Sequence, residues 1–350
     1  MRKTAVLVCC SMLMTVLSSC GSVKETDTTS VPAATEMTGV TTVQTTASGD
    51  SVPSSSESAD DIYHHEFNTH VYSFLYEENF DEKIKASYIS LCDAMYSGGD
   101  EFICEDEVMY YTVVDTIAHA SLPLAVFIDR DKVNIKDGTA HISYTLPKDE
   151  YLNKVEEFRT LINTIIEENI RPEYDDIDKA LALYTYIASN YTYDYDALED
   201  DSISLSVYRF FTERKGICQE IAPAYSYLLA QAGVDTTTCG SLNAQNDAHE
   251  WSFVKLDGEY YHIDPTWAID AADAYNYFGM TDEQRRVQGG WDMSILNYGS
   301  ANIFDDRGVY KANSERFKDL WYSVTGSTDY DTNTISYYLE GDSEVHELVY

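Results

Sequence analysis

The chain has 350 residues, 44% of them hydrophobic, and its 60 Asp and Glu outnumber 23 Lys and Arg for a formal charge of −37. So negative a surface argues against a nucleic-acid backbone or an anionic membrane surface as the main partner. Beyond the N-terminal segments, about 290 residues remain, enough for one large domain or two small ones.

The N-terminus joins Arg2 and Lys3 to an apolar stretch from Ala5 to Leu17. That stretch is short for a membrane-spanning helix and reads as an export signal. It closes in Leu17-Ser18-Ser19-Cys20, which resembles the bacterial lipobox; residues 1–19 are then expected to be removed and Cys20 to carry a lipid. Residues 20–60 read as a tether, because 17 of the 38 residues from Gly21 to Ser58 are Ser or Thr, too polar to build a core. Cys92, Cys104, Cys218 and Cys239 follow. In an exported chain Cys92 and Cys104 could pair, which spacing alone does not decide. No CxxC spacing occurs, so a structural zinc site is not expected.

Residues 61–146 read as a mixed α/β region. Asn79 to Gly99 has helical spacing and a Gly98-Gly99 stop, and Glu105 to Ser121 gives a second helix with acidic residues in its first turn. Leu124–Ile128 and Thr139–Leu146 read as strands, the latter alternating Ala140, Ile142, Tyr144 and Leu146. Residues 147–290 open with two amphipathic helices, Lys148–Ile170 and a second ending at Asn190 with Asp175 or Asp176 as its cap. Leu205–Gly216 gives a third helix. Cys218 starts a fourth, with apolar residues at Ile221, Ala224, Tyr225, Leu228, Leu229 and Ala232 and a stop at Gly233.

From Val234 the period changes to two. Val234–Leu242, His249–Leu256 and Glu259–Asp264 read as strands, the last two joined through the hairpin turn Asp257-Gly258. Residues 291–350 are a C-terminal extension, with a helix expected around Ser314–Val324 and a hairpin over Thr334–Tyr350. Helices followed by an antiparallel sheet, with a cysteine helix at the junction, make an α+β domain.

A cysteine at a helix start is placed for reactivity, because the helix N-terminus stabilises a thiolate. The Asp257-Gly258 turn fixes the register of its hairpin, pairing Leu256 with Glu259 and Trp251 with Asp264. His249 shares a face with Trp251, so Asp264 lies diagonal to it, at about 7–8 Å along the backbone, which the two side chains can bridge. A carboxylate on one imidazole nitrogen fixes the tautomer and leaves the other nitrogen to take a proton. If the cysteine helix packs on this face, Cys218, His249 and Asp264 form a Cys-His-Asp triad. Taken singly, Cys218 would read as a buried helix cysteine, His249 as a core histidine and Asp264 as a turn cap. His262 lies on the same face.

Gly216-Ile217-Cys218, His249-Glu250-Trp251 and Asp264-Pro265-Thr266-Trp267 resemble, in order and spacing, the three blocks of the transglutaminase-like superfamily. The likeness runs from about Asp175 to Gly279. It implies a papain-like core, with the nucleophile at a helix N-terminus packed on an antiparallel sheet. It also implies the roles of nucleophile for Cys218, base for His249 and orienting acid for Asp264. Glu250 stands where the family has a small residue, and Pro223 sits inside the cysteine helix, where it can cost a hydrogen bond. The Cys218 N–H is the natural oxyanion donor. Such enzymes often carry a side-chain donor before the cysteine, and Tyr208 is the candidate here.

Other patterns carry less. His249-Glu250 lacks the second histidine of a metalloprotease helix. His64, His65 and His70 read as a frayed start rather than a metal set. The Asp-rich Ala268–Asn276 lacks the glycine and glutamate of a calcium loop. No cofactor and no metal are expected. The expected protein is a lipid-anchored, extracytoplasmic cysteine acyl-transfer enzyme of the bacterial cell envelope. It would act through a thioester on a peptide or protein substrate, with cell-wall peptides among the candidates, and transfer to water is favoured. The alternatives are a cross-linking transglutaminase and a non-catalytic binding or adhesion module on the same fold.

Overall fold

The computed structural model describes residues 63–200, 202–269, 271, 275–299, 303–304 and 308–350. The expected leader, Cys20 and the Ser/Thr-rich tether lie outside them. The chain enters through α1 (Phe74–Asn79) and α2 (Glu82–Ser97). The Asp81 carboxylate caps α2 at one end, and Gly98 closes it in the left-handed conformation at the other. The second expected helix is α3 (Glu107–Tyr111), a π-helical stretch Thr112–Ile117 and α4 (Ala118–Ser121) run together. Leu124–Ile128, expected as a strand, is instead a 3-10 turn over Pro123–Phe127. Pro123 supplies no N–H and a fixed φ at its first position, which suits a helical turn and not a sheet ladder. The strand expected over Thr139–Leu146 shortens to β3 (Thr139–His141), between β1 (Glu101–Ile103) and β2 (Asn134–Lys136).

Two long helices follow, α5 (Lys148–Asn169) and α6 (Asp176–Asn190), and the Asp175 side chain caps α6 through Ile177 and Asp178 N–H. The chain then passes through β4 (Thr192–Tyr193), α7 (Asp196–Glu199), α8 (Val207–Glu213) and β5 (Lys215–Gly216) into the cysteine helix α9 (Cys218–Gln231). Pro223 does not interrupt α9, and Gly233 ends its segment at a φ of 82°. A sheet of order β10-β9-β6-β7-β8 comes next, built from β6 (Thr236–Leu242), β7 (Ala248–Leu256), β8 (Glu259–Ile263), β9 (Asn297–Tyr298) and β10 (Ile303–Phe304). Helix α10 (Asp282–Gly289) falls between β8 and β9. Asp257 and Gly258 both take positive φ, 51° and 81°, and Leu256 pairs with Glu259 as the turn requires.

The sheet is buried on both faces. Val254, Leu256, Tyr261 and Ile263 face the main helical core, while Cys239, Trp251 and Phe253 face a second cluster with Trp291, Tyr298 and Tyr310. The main core runs from Phe67 through the helices to Ile335 and Tyr337 of the C-terminal sheet, in which β11 (Ser323–Asp329), β12 (Thr334–Leu339) and β13 (His346–Val349) pair antiparallel. The helix expected around Ser314–Val324 is one 3-10 turn, Lys318–Leu320, before the chain extends into β11. Phe317, Leu320 and Trp321 carry the helix-like spacing, but Ser323 and the residues from Thr325 on pair with β12, with a register shift at Val324.

Cys92 and Cys104 are free, buried thiols. His65 is no frayed residue, for it is buried against Gln231 of α9, its Nε2 3.1 Å from Oε1. Among the described residues no helix is long and apolar enough to cross a membrane.

Gly279 tests this packing. Its φ is 66°, and a Cβ there would stand 2.2 Å from the Phe317 ring. Gly279→Ala combines left-handed strain with overpacking and is expected to cost about 3 kcal/mol, measured by chemical denaturation. An unchanged midpoint would contradict the seating of the C-terminal segment on the core.

Candidate active site

The segment before Cys218 is clamped from several sides. Glu220, at the third position of α9, accepts Ile217 N–H at 3.2 Å and Ser206 N–H at 3.0 Å. Arg209 of α8 forks onto both Glu220 oxygens at 3.0 and 2.8 Å and also pairs with Asp194, whose own N–H donates to the Gly216 carbonyl at 2.9 Å. Gly216 is required by contact, since a Cβ would meet Phe210 at 2.8 Å and Glu220 Oε2 at 3.0 Å. Cys218 therefore begins its helix from a fixed position, with 1% of its surface exposed.

The seat of α9 on the sheet is set by serines. Ser252 Oγ donates to the Ala222 carbonyl at 3.0 Å and lies 2.9 Å from Ser226 Oγ, which reaches the Thr237 carbonyl at 3.3 Å. Thr237 pairs with Phe253, so the helix runs along β7 in the strand's own direction. Cys218, about 6 Å of helix before Ala222, lies towards the strand end that carries His249. The β6–β7 ladder is regular from Leu242–Ala248 to Thr236–Val254, so Ser252 and His249 face opposite sides. The face that the sequence left open is thus settled for the helix: it does not lie on the His249 face. It lies on the other, with its first turn towards the end where β7 begins.

His249 and Asp264 meet as the register requires. Asp264 stands just past β8, fully buried, with Oδ2 2.7 Å from His249 Nε2. Thr266 N–H donates to Oδ1 at 3.2 Å, and Arg285 of α10 donates to Oδ2 at 2.5 Å. Burial opposes the charge on Asp264, but His249, Arg285 and these hydrogen bonds outweigh it and hold the carboxyl below the usual range. In the tautomer that donates Nε2–H to the carboxylate, Nδ1 takes the acceptor role. Three of the chain's four tryptophans surround the ring: Trp291 stacks at 5.2 Å, Trp251 at 5.8 Å, and Trp267 stands edge-on at 5.7 Å. Trp267 Nε1–H is directed at the same Nε2 at 2.9 Å, so that nitrogen can donate to Asp264 or accept from Trp267 but not both, and the 42% exposure of Trp267 makes it the outer cover of the pair.

His262 is a structural histidine. Trp251 Nε1 donates to its Nδ1 at 2.8 Å, and its Nε2 lies 3.0 Å from Asp282 Oδ1. Complete burial lowers its pKa in spite of Asp282. Burial pushes the Cys92 thiol up to about 12, Cys104 to about 11 and Cys239 well above its ordinary value. Tyr208 packs on Phe127 at 4.9 Å and Phe158 at 5.6 Å, turned towards α5; Arg209 beside it is the α8 residue that bonds the cysteine helix. Arg285 and Trp291 escape sequence reading, for they come from a segment with no motif. Among the described residues no group of three or more His, Cys, Asp or Glu is arranged to hold a metal ion.

Residues 163–265 match the family model of the transglutaminase-like superfamily. Among solved structures, a candidate cysteine protease from Cytophaga hutchinsonii is 20% identical over 31% of this chain and 38% of its own, with a TM-score of 0.26. A TGase is 16% identical over 39% of this chain and 43% of its own, with a TM-score of 0.28. LapG of Legionella pneumophila is 12% identical over 50% of this chain and 88% of its own, with a TM-score of 0.28. The chain thus spans less than half the length of the first two. No curated protein matches it in sequence. The likeness to the transglutaminase-like superfamily thus covers residues 163–265, within a mixed fold of helices and antiparallel sheet.

The charges set a pH dependence. His262 binds its proton less readily folded than unfolded, so its contribution to stability is complete above about 6.5 and falls away below it, with a slope of at most about 1.4 kcal/mol per pH unit. Asp264, with a lowered folded pKa, adds a second loss below the ordinary carboxylate range. Thermal melts are expected to fall below pH 6.5, less steeply in His262→Gln, and again below about 4. A melting temperature flat from pH 7 to 5 would contradict this.

Proposed function

We propose that this chain is a cysteine acyl-transfer enzyme of transglutaminase-like type. Cys218 attacks a carboxamide or peptide carbonyl, His249 Nδ1 takes the thiol proton and returns it to the leaving amine, and Asp264 holds the ring by Nε2. The Cys218 N–H, in the first helical turn, is the oxyanion donor. The observation that carries the reading is the buried 2.7 Å His249–Asp264 bond, with α9 running along the same strand so that its cysteine end lies towards His249. Thiol and imidazole would meet around the end of β7 rather than across the sheet.

The acyl-enzyme passes to water in the preferred reading, making the protein a peptidase or amidase. The near-complete cover of Cys218 favours a second reading, in which an amine takes the acyl group and proteins are cross-linked. The Leu17–Cys20 motif and the Ser/Thr-rich segment support a lipid anchor on the outer side of a bacterial membrane, with wall peptides or secreted proteins within reach.

Iodoacetamide near pH 6 is expected to label Cys218 and spare Cys92, Cys104 and Cys239, and His249→Ala is expected to abolish the preference and lower turnover by about 10²–10⁴-fold. Equal labelling of Cys218 and Cys239 would contradict catalysis. Incubation with a glutamine peptide, with and without a primary amine, separates the acceptors by product mass. Cys20→Ala is expected to move the protein from the membrane fraction to the soluble one; unchanged fractionation would refute the anchor.

A further inference from the structure

We infer that Arg285 is a positioning residue for this reaction, fixing the Asp264 carboxylate against His249. The inference rests on the proposed acyl transfer. Arg285 is 1% exposed and Asp264 not at all. The guanidinium shares Oδ2 with the imidazole, and Thr266 N–H holds Oδ1, so both carboxylate oxygens are fixed and the plane cannot turn. Arg285 is itself held by its face, with Cζ 4.3 Å from the Trp251 ring and 5.7 Å from Trp291.

Trp251 cannot swing away, because its N–H is bound to His262 and His262 is bound to Asp282. Asp282 opens α10, capped by Thr281, and Arg285 is one turn further on. One short helix therefore supplies both ends of the series Asp282–His262–Trp251–Arg285, and Arg285 carries it on to Asp264. The groups that face Asp264 are His249 of β7, Arg285 of α10, Tyr184 of α6, Tyr277 and Cys239 of β6. Of these only His249 and Arg285 can be positive. With Arg285 gone, the imidazole is the one remaining counter-charge among them, and the buried acid takes up a proton more readily.

The test is the rate of Cys218 alkylation by iodoacetamide between pH 4 and 9, read by peptide mass in the full chain. Wild type is compared with Arg285→Gln and Arg285→Lys, each checked by circular-dichroism melting. In Arg285→Gln the acid edge is expected to move up by about one pH unit and the pH 6 rate to fall about tenfold. In Arg285→Lys the edge stays and the plateau falls several-fold, because a point charge replaces a planar fork. A folded Arg285→Gln with the wild-type edge would overturn the inference. Should that variant not fold, wild-type plateau and edge in Arg285→Lys would do so. A wild-type Cys218 no faster than Cys239 would instead remove the acyl-transfer reading itself.

Discussion

Asp264 is a carboxylate with no surface in water, and the candidate site is arranged around that constraint. A buried charge left alone costs several kcal/mol, and removing one member of a buried pair costs about 3–5 kcal/mol. The chain supplies His249 from a neighbouring strand, Arg285 from a later helix and a backbone N–H from Thr266. The imidazole that shares this carboxylate loses its freedom to rotate, and the tryptophans close around it. Stability and proposed chemistry thus rest on the same bond.

The second requirement is that the cysteine helix arrive in a set place. Buried Ser226 and Ser252 seat α9 on the sheet, and the Glu220–Arg209–Asp194 network fixes the residues just before Cys218. These contacts are polar and directional, where the surrounding core of Leu, Ile and Tyr is not. A helix held only by apolar contacts could slide by a fraction of a turn at little cost. One held by hydroxyl bonds to a carbonyl and to a facing serine cannot.

Much of this was legible in the sequence for local reasons. The Asp257-Gly258 turn forces a two-residue hairpin, so the His249–Asp264 meeting followed from counting residues. The helix caps Asp175 and Gly98 announced their ends through backbone chemistry. Non-local packing was not legible. Period two cannot say which sheet face a helix will cover, and α9 took the Ser252 face rather than that of His249. Leu124–Ile128 looked like a strand until Pro123 turned it. Tyr208 and Arg209 are neighbours in the chain, yet one packs on Phe127 and Phe158 and the other bonds Glu220 of the cysteine helix, a difference only tertiary contacts make. Arg285 lies between two ordinary-looking residues and acquires its role from Trp251 and Asp264, both distant in the chain.

In the proposed chemistry Asp264 holds His249 by Nε2–H, and Nδ1 takes the thiol proton. Histidine side-chain nitrogen spectra of the uniformly ¹⁵N-labelled protein report that directly. His249 is expected to show a protonated, slowly exchanging Nε2–H that is lost in Asp264→Ala. A His249 proton on Nδ1, or an Nε2–H signal indifferent to Asp264→Ala, would contradict it.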